Sequence, residues 1–309
     1  MRSIVVVSDL TPNSDPAVRC AGRIAASAGA TLHVLHATGL VGRPLREAVP
    51  LLSAQATLRM ETALGAQLRR AVPATVSVEP HLSHHGTLEA ARERVQSTGA
   101  DLLVIAPDSD PARGHAWSVS KAVSAVGCPV LVARSGDPRY RRVVFPAARD
   151  ELDAARLAST CGWFRHLFSS AARRAEIHVL HVCARLSEWR EAAPALEREV
   201  RGLEDGGWGP EGIVHSHVRW SALPAPQIVA AASAEGADLI VLRPRSAPGP
   251  LGTSRHVAER AQCSVLLLPR TREPEAATTV EGAREVSGTS DWDLAGVEEA
   301  DGELAAERR

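Results

Sequence analysis

The sequence predicts two doubly wound α/β domains in tandem, each a parallel sheet with helices on both faces. Three observations carry this. Short, uniformly apolar runs alternate with segments of helical periodicity, as strands buried on both faces require. The stretch GADLLVIAP (99–107) is written again as GADLIVLRP (236–244). Other segments recur in the same order: TLHVLHA (31–37) returns as EIHVLHV (176–182), and CPVLVAR (128–134) as CSVLLLPR (263–270).

The elements follow in chain order. SIVVVS (3–8) is an apolar, β-branched strand. The Thr-Pro-Asn-Ser-Asp-Pro loop after it leads into a helix, with Asp15 as N-cap and Pro16 at the first helical position. Ala17, Cys20, Ala21, Ile24 and Ala25 recur at helical spacing, and Gly29 ends the helix. TLHVLHA is the second strand, and a Gly- and Pro-rich loop then precedes a long helix over 46–71. ATVSVEPHL (74–82) is the third strand, and 87–99 a helix capped by Thr87 and stopped by Gly99. DLLVIAP is the fourth strand, 117–126 a helix and PVLVAR (129–134) the fifth strand. The repeat places the first domain at 1–136, the second at 140–270 and a linker, SGDP, at 135–138. Residues 271–309 carry eleven acidic and four basic side chains with little apolar periodicity, so a disordered acidic tail is expected, Trp292 being its one aromatic.

Composition narrows the function classes. Apolar residues make up 45% of the 309 and aromatics 3%. Positive charge is dispersed and almost all arginine, so no nucleic-acid partner is expected. No run is long enough to span a membrane, and Asp9 interrupts the first apolar run too early for a signal peptide, so a cytoplasmic location with no membrane partner is expected. The cysteines Cys20, Cys128, Cys161, Cys183 and Cys263 are widely spaced with no C-x-x-C pair, which argues for buried free thiols. Cys128 and Cys263 fall at strand starts and are expected to be buried.

Asp9 closing the first strand, LHA closing the second, GADLLVIAP as the fourth and SVSKAVSAVGCPVLVAR to finish together resemble the universal stress protein family. Each half looks like one such domain, over about residues 1–270. The resemblance implies five strands per sheet and an internal pseudo-dimer paired through the fifth strands (129–134 and 264–269). Family members that bind ATP hold it at the strand carboxyl ends, using an Asp after the first strand and a G-x2-G-x9-G-[S/T] loop after the fourth. Glycines let backbone N–H groups approach the phosphates there, and a helix N-terminus adds partial positive charge.

Carried onto this chain, the resemblance assigns Asp9, Thr11, Ala37, Gly114, Ser118 and Ser120 to an adenine-nucleotide site in the first domain. The first and last glycines of the loop are replaced by Ala106 and Trp117, and Asp108 and Asp110 add negative charge where phosphates would sit. Arg113 is the one helpful cation. In the second domain Gly252, Thr253 and Ser254 keep the final Gly-[S/T] at a helix start, but RPRSAPGPL (243–251) carries three prolines that cannot donate an N–H. Aligned through the GAD repeat, Asp9 corresponds to Pro146.

Other constellations are weaker. His33 and His36, mirrored by His178 and His181, lie three apart on strands and so on opposite faces, which suits structural roles. His81, His84 and His85 gather near the end of the third strand, and His215 and His217 share a face, but two nitrogens fall short of zinc's three or four ligands. No metal is expected. No nucleophile elbow appears and no enzyme is expected, although weak ATP hydrolysis is compatible with the resemblance. Two functions stay open: a stress-response protein that binds ATP or another adenine nucleotide in the first domain and acts through protein partners, or a scaffold with both loops eroded. A homodimer is compatible with either.

Overall fold

The computed structural model describes residues 1–37, 50–107, 119–147, 162, 164, 175–205, 214–243 and 252–269. Its first half runs β1 (Ser3–Val7), α1 (Asp15–Ala28), β2 (Thr31–Ala37), α2 (Pro50–Ala71), β3 (Val78–Ser83), α3 (Thr87–Thr98), β4 (Leu102–Ile105), α4 (Val119–Val126) and β5 (Val130–Val132). The second half repeats the scheme with β6 (Arg142–Ala147), β7 (Glu176–Cys183), α5 (Leu186–Asp205), β8 (Val214–Trp220), α6 (Pro224–Ala234), β9 (Leu239–Leu242), α7 (Gly252–Arg260) and β10 (Ser264–Leu267). The tail expected at 271–309 and the segment 38–49 lie outside the described residues.

The ten strands of the described residues form one sheet in the order β3-β2-β1-β4-β5-β10-β9-β6-β7-β8. Within each half the pairs are parallel, and each half is ordered as a doubly wound layer. The halves meet where β5 and β10 run antiparallel, with Leu131 opposite Leu266. Pairing there removes two apolar edges that would otherwise be open to aggregation.

Double winding is visible along β1. Ile4 and Val6 point to one face, against Ala17, Ala21 and Ile24 of α1 and Leu64 of α2, and Val5 and Val7 to the other, with Ala90, Ala91 and Val95 of α3. The second half repeats this, with Val143 and Phe145 beside Leu196 of α5, and Val144 beside Ile228 of α6 and Val257 of α7. A fully buried side chain of this kind contributes about 1.5–3 kcal/mol relative to an exposed one. Two doubly covered halves therefore fix the backbone from which the loops at each sheet edge project.

Helix starts depart slightly from expectation. Ser14, not Asp15, is the N-cap of α1, and Gly86, not Thr87, that of α3; neither makes a side-chain capping bond. Asp15 instead accepts a hydrogen bond from Gln67 Nε2 at 2.6 Å, which draws it inward. Gly29 and Gly99 end α1 and α3 in the left-handed conformation, with φ of 64° and 57°.

The ladders also set the correspondence between halves. Ile4 pairs with Leu102 as Val143 pairs with Leu239, and Val7 with Leu35 as Pro146 with Leu180. Pro146 therefore corresponds to Val7, and the position equivalent to Asp9, residue 148 by count, lies outside the described residues. The sequence alignment was displaced by two residues because the span between the first and fourth strands differs in length between the halves. Ala148, like Pro146, has no carboxylate.

Candidate functional site

The carboxyl end of β1 is held by a buried polar network. Ser8 is buried; its backbone N–H donates to Leu35 O at 2.9 Å, and its hydroxyl donates to Gln67 Oε1 at 2.6 Å. Gln67 Nε2 donates in turn to Ser14 Oγ and Asp15 Oδ1. His36 Nδ1 donates to Ser8 O at 2.8 Å. The chain then turns sharply: Leu10 is the one non-glycine among the described residues with positive φ, at 62°, and its N–H is caught by Ser8 Oγ at 3.0 Å. A left-handed leucine is strained, and such residues persist where neighbours over-determine them.

This turn presents Asp9 to solvent. Its Oδ1 accepts the Thr11 N–H at 2.9 Å and the Thr11 hydroxyl at 2.7 Å. Burial pushes the Asp9 carboxyl upward, but the bonds from Thr11 outweigh it and hold the group below the usual carboxylate range. Asp9 is thus a fixed anion and acceptor at the strand end. Ala37, buried, closes the neighbouring strand β2. The structure therefore brings Asp9, Thr11 and Ala37 to one edge. Ser120 lies in the first turn of α4, after β4. Gly114 and Ser118, with Asp108, Asp110, Arg113 and Trp117, lie outside the described residues.

In the second half Gly252, Thr253 and Ser254 form the first turn of α7, with Gly252 and Thr253 exposed. An added Cβ on Gly252 would meet nothing within 4 Å among the described residues. Pro146 and Ala147 end β6 with no carboxylate. Each half thus holds a different part of what the resemblance implies for one nucleotide site.

The opposite edge holds a feature that sequence reasoning missed. His33 and His81, on neighbouring strands, stack with Nδ1 and Nε2 3.3 Å apart, and Glu79 Oε2 lies 3.1 Å from His33 Nδ1. The second half repeats the pair as His178 and His217, at 2.9 Å, and adds His215, Glu176 and Glu235. These residues form three groupings of metal-ligating type: His33, Glu79, His81; Glu176, His178, His215; and His178, His217, Glu235. Burial lowers the pKa of His33, His81, His178 and His217, with neighbouring positive groups adding to it. Spacing within one strand could not reveal this, because the partners come from the strand alongside. His85 is placed differently: it follows the end of β3 and lies 3.8 Å from Glu89.

Cys20, Cys128 and Cys183 are buried and in no disulfide among the described residues, whereas Cys263 is partly exposed, a correction to its expected burial. Burial pushes Cys20 and Cys128 up to about 12 and Cys263 to about 11, so none is poised as a nucleophile. Cys161 lies outside the described residues. Among the described residues, no helix is long and apolar enough to cross a membrane.

Two doubly wound layers in one sheet, with a fixed polar turn at the carboxyl edge, define a tandem α/β protein. The pattern of the universal stress protein family matches residues 1–134 and again 139–269, and the chain belongs to that family. Solved structures agree on the fold. A universal stress protein from Archaeoglobus fulgidus DSM 4304 is 16% identical, covering 87% of this chain and 98% of its own, at a TM-score of 0.60. A functionally unknown protein from Pseudomonas aeruginosa PAO1 is 18% identical over 87% of this chain and 92% of its own, at 0.58. No curated protein matches the chain.

Proposed function

We propose that this chain is a cytoplasmic regulatory protein of the universal stress type that binds an adenine nucleotide in its first half and acts through protein partners. The observation that carries the reading is Asp9, held ionised by two bonds from Thr11 at the end of β1 and beside the end of β2. A fixed acceptor there suits a ribose hydroxyl or a base N–H. The second half serves as a structural and docking partner, since its first strand ends in Pro146 and Ala147. The protein acts by binding, and no step of chemistry is assigned to it.

The test is a thermal melt of the full chain with ATP, ADP, AMP or a cyclic dinucleotide, each with and without magnesium. Ligand at about 100 times its dissociation constant adds roughly 2.7 kcal/mol, a shift of several degrees for a chain of this size. Asp9→Ala abolishes the shift if the site is in the first half. No shift up to millimolar nucleotide would refute the reading and favour the second one, a scaffold without nucleotide.

A further inference from the structure

We propose that the amino-terminal edge of the second half binds a divalent transition-metal ion of the zinc class. Its ligands are the Glu176 carboxylate, His178 Nε2 and His215 Nε2, with His217 and Glu235 supporting the buried histidine. The site lies at the sheet edge opposite the Asp9 turn and does not depend on the nucleotide reading.

Geometry supplies the first argument. Ligand atoms about 2.0–2.1 Å from a tetrahedral zinc lie about 3.3 Å from one another. Glu176 Oε1 is 3.0 Å from His215 Nε2 and 3.6 Å from His178 Nε2. One ligand atom from each of Glu176, His178 and His215 falls within 4.8 Å of the other two.

The second argument is an orphaned atom. His178 is 4% exposed, and its Nε2 is buried with no hydrogen-bond partner among the described residues. Its Nδ1 is engaged, 2.9 Å from His217 Nε2, with Glu235 Oε2 3.8 Å away. If Nδ1 carries the proton and donates to His217, Nε2 presents a bare lone pair toward the Glu176 carboxylate. A cation placed between that lone pair and the carboxylate, 3.6 Å apart, would satisfy both. A metal ion uses the neutral ring directly, with the other nitrogen held by an outer hydrogen bond, as ligating histidines usually are. Glu176 is oriented in the same way: Arg142 Nε donates to its Oε2 at 3.1 Å, while Oε1 is turned to His215 Nε2, the hydrogen bond that an ion would replace.

The third argument is the comparison between halves. His33 and His81 repeat the His178–His217 pair, but Thr31 stands where Glu176 does and Glu79 where His215 does. The helices reverse charge as well. Arg94 of the first half, whose charge bears on both His33 and His81, is replaced by Ala231, and Thr98 by Glu235. Relative to the first half, the second lacks the Arg94 cation and carries Glu176, Glu235 and His215 in place of Thr31, Thr98 and Glu79, a net gain of one carboxylate and one imidazole. Two imidazoles among three ligands favour zinc over magnesium or calcium. His215, with its side chain 41% exposed, leaves a fourth position for water.

The experiment titrates tag-free, chelator-stripped full chain with Zn2+ by calorimetry, and with Co2+ by visible absorption. One equivalent binds, and the cobalt spectrum shows d–d bands without thiolate charge transfer. Glu176→Gln and His215→Asn, both at partly exposed positions, each weaken affinity by more than tenfold, and Glu235→Gln by about tenfold, as loss of an outer partner does. His81→Asn leaves affinity unchanged, and circular dichroism checks that every variant is folded. Absence of saturable binding, binding that survives both Glu176→Gln and His215→Asn, or binding that depends on His81 or on a thiolate would overturn the proposal.

Discussion

The junction between β5 and β10 makes a quantitative prediction. Leu131 and Leu266 lie directly opposite in the antiparallel register, both 0% exposed and both in the core on the α1 and α5 side of the sheet. Truncating either to alanine deletes buried methyl groups and leaves a cavity, at a cost of about 2–5 kcal/mol. The second truncation enlarges a cavity that already exists, so the pair should be sub-additive, with a coupling of about 0.5–3 kcal/mol. The assay is urea unfolding of Leu131→Ala, Leu266→Ala and the double variant, followed by far-ultraviolet circular dichroism and tryptophan fluorescence. Trp163, Trp189, Trp208 and Trp220 all fall in the second half, so fluorescence reports mainly on that half. Leu131→Ala, made in the first half, must therefore move the fluorescence and dichroism midpoints together. Separate midpoints, or strictly additive losses, would show that the two halves do not share this core.

Two other outcomes follow from the polar groups. Ser8→Ala strands Gln67 Oε1 and the Leu10 N–H without their shared hydroxyl, and should cost about 1–3 kcal/mol in the same urea assay; a neutral substitution would mean that the β1 turn is not held by this network. The histidines give a pH dependence. His33, His81, His178 and His217 all have folded-state pKa values below their unfolded value of about 6.5. The unfolded chain takes up protons first, so stability is full above that value and falls as pH drops below it toward the folded pKa values. Glu79 opposes the effect at the first pair, and Glu176 and Glu235 at the second. Midpoints of metal-free protein measured between pH 8 and 5 check this, and a midpoint that rises on acidification would contradict it.

Much of the fold was legible because buried parallel strands announce themselves as unbroken apolar runs. The duplicated GAD strands and the left-handed stops at Gly29 and Gly99 were equally plain. Helix starts were legible only to within a residue, since residue type suggests a cap but cannot show that Asp15 is claimed by Gln67. The register between halves was misjudged by two at the first strand, because an alignment through one repeat assumes equal spans between strands and these differ. The carboxyl-edge residues Asp9, Thr11 and Ala37 could be placed from sequence, since each is adjacent to a recognisable strand end. The histidine clusters could not, because His33 meets His81, and His178 meets His215 and His217, only once the strand order sets β2 beside β3 and β7 beside β8.

That order also explains where the two halves were free to diverge. The strand interiors pack helices on both faces, so a substitution there risks a cavity or overpacking, and the two copies kept the same kind of side chain. The strand ends carry no such constraint, and there the copies differ in charge. At the carboxyl edge the first half kept Asp9 and the second ends in Ala147; at the amino edge the second half gained Glu176, His215 and Glu235 where the first has Thr31, Glu79 and Thr98. On the two proposals above, each half specialises at one edge while the core joined through β5 and β10 holds both in place. The prediction that separates this from independent drift is directional: Asp9→Ala should affect nucleotide response and leave Zn2+ affinity intact, and His215→Asn should do the reverse. A variant that impaired both would show that the two edges are coupled through the sheet.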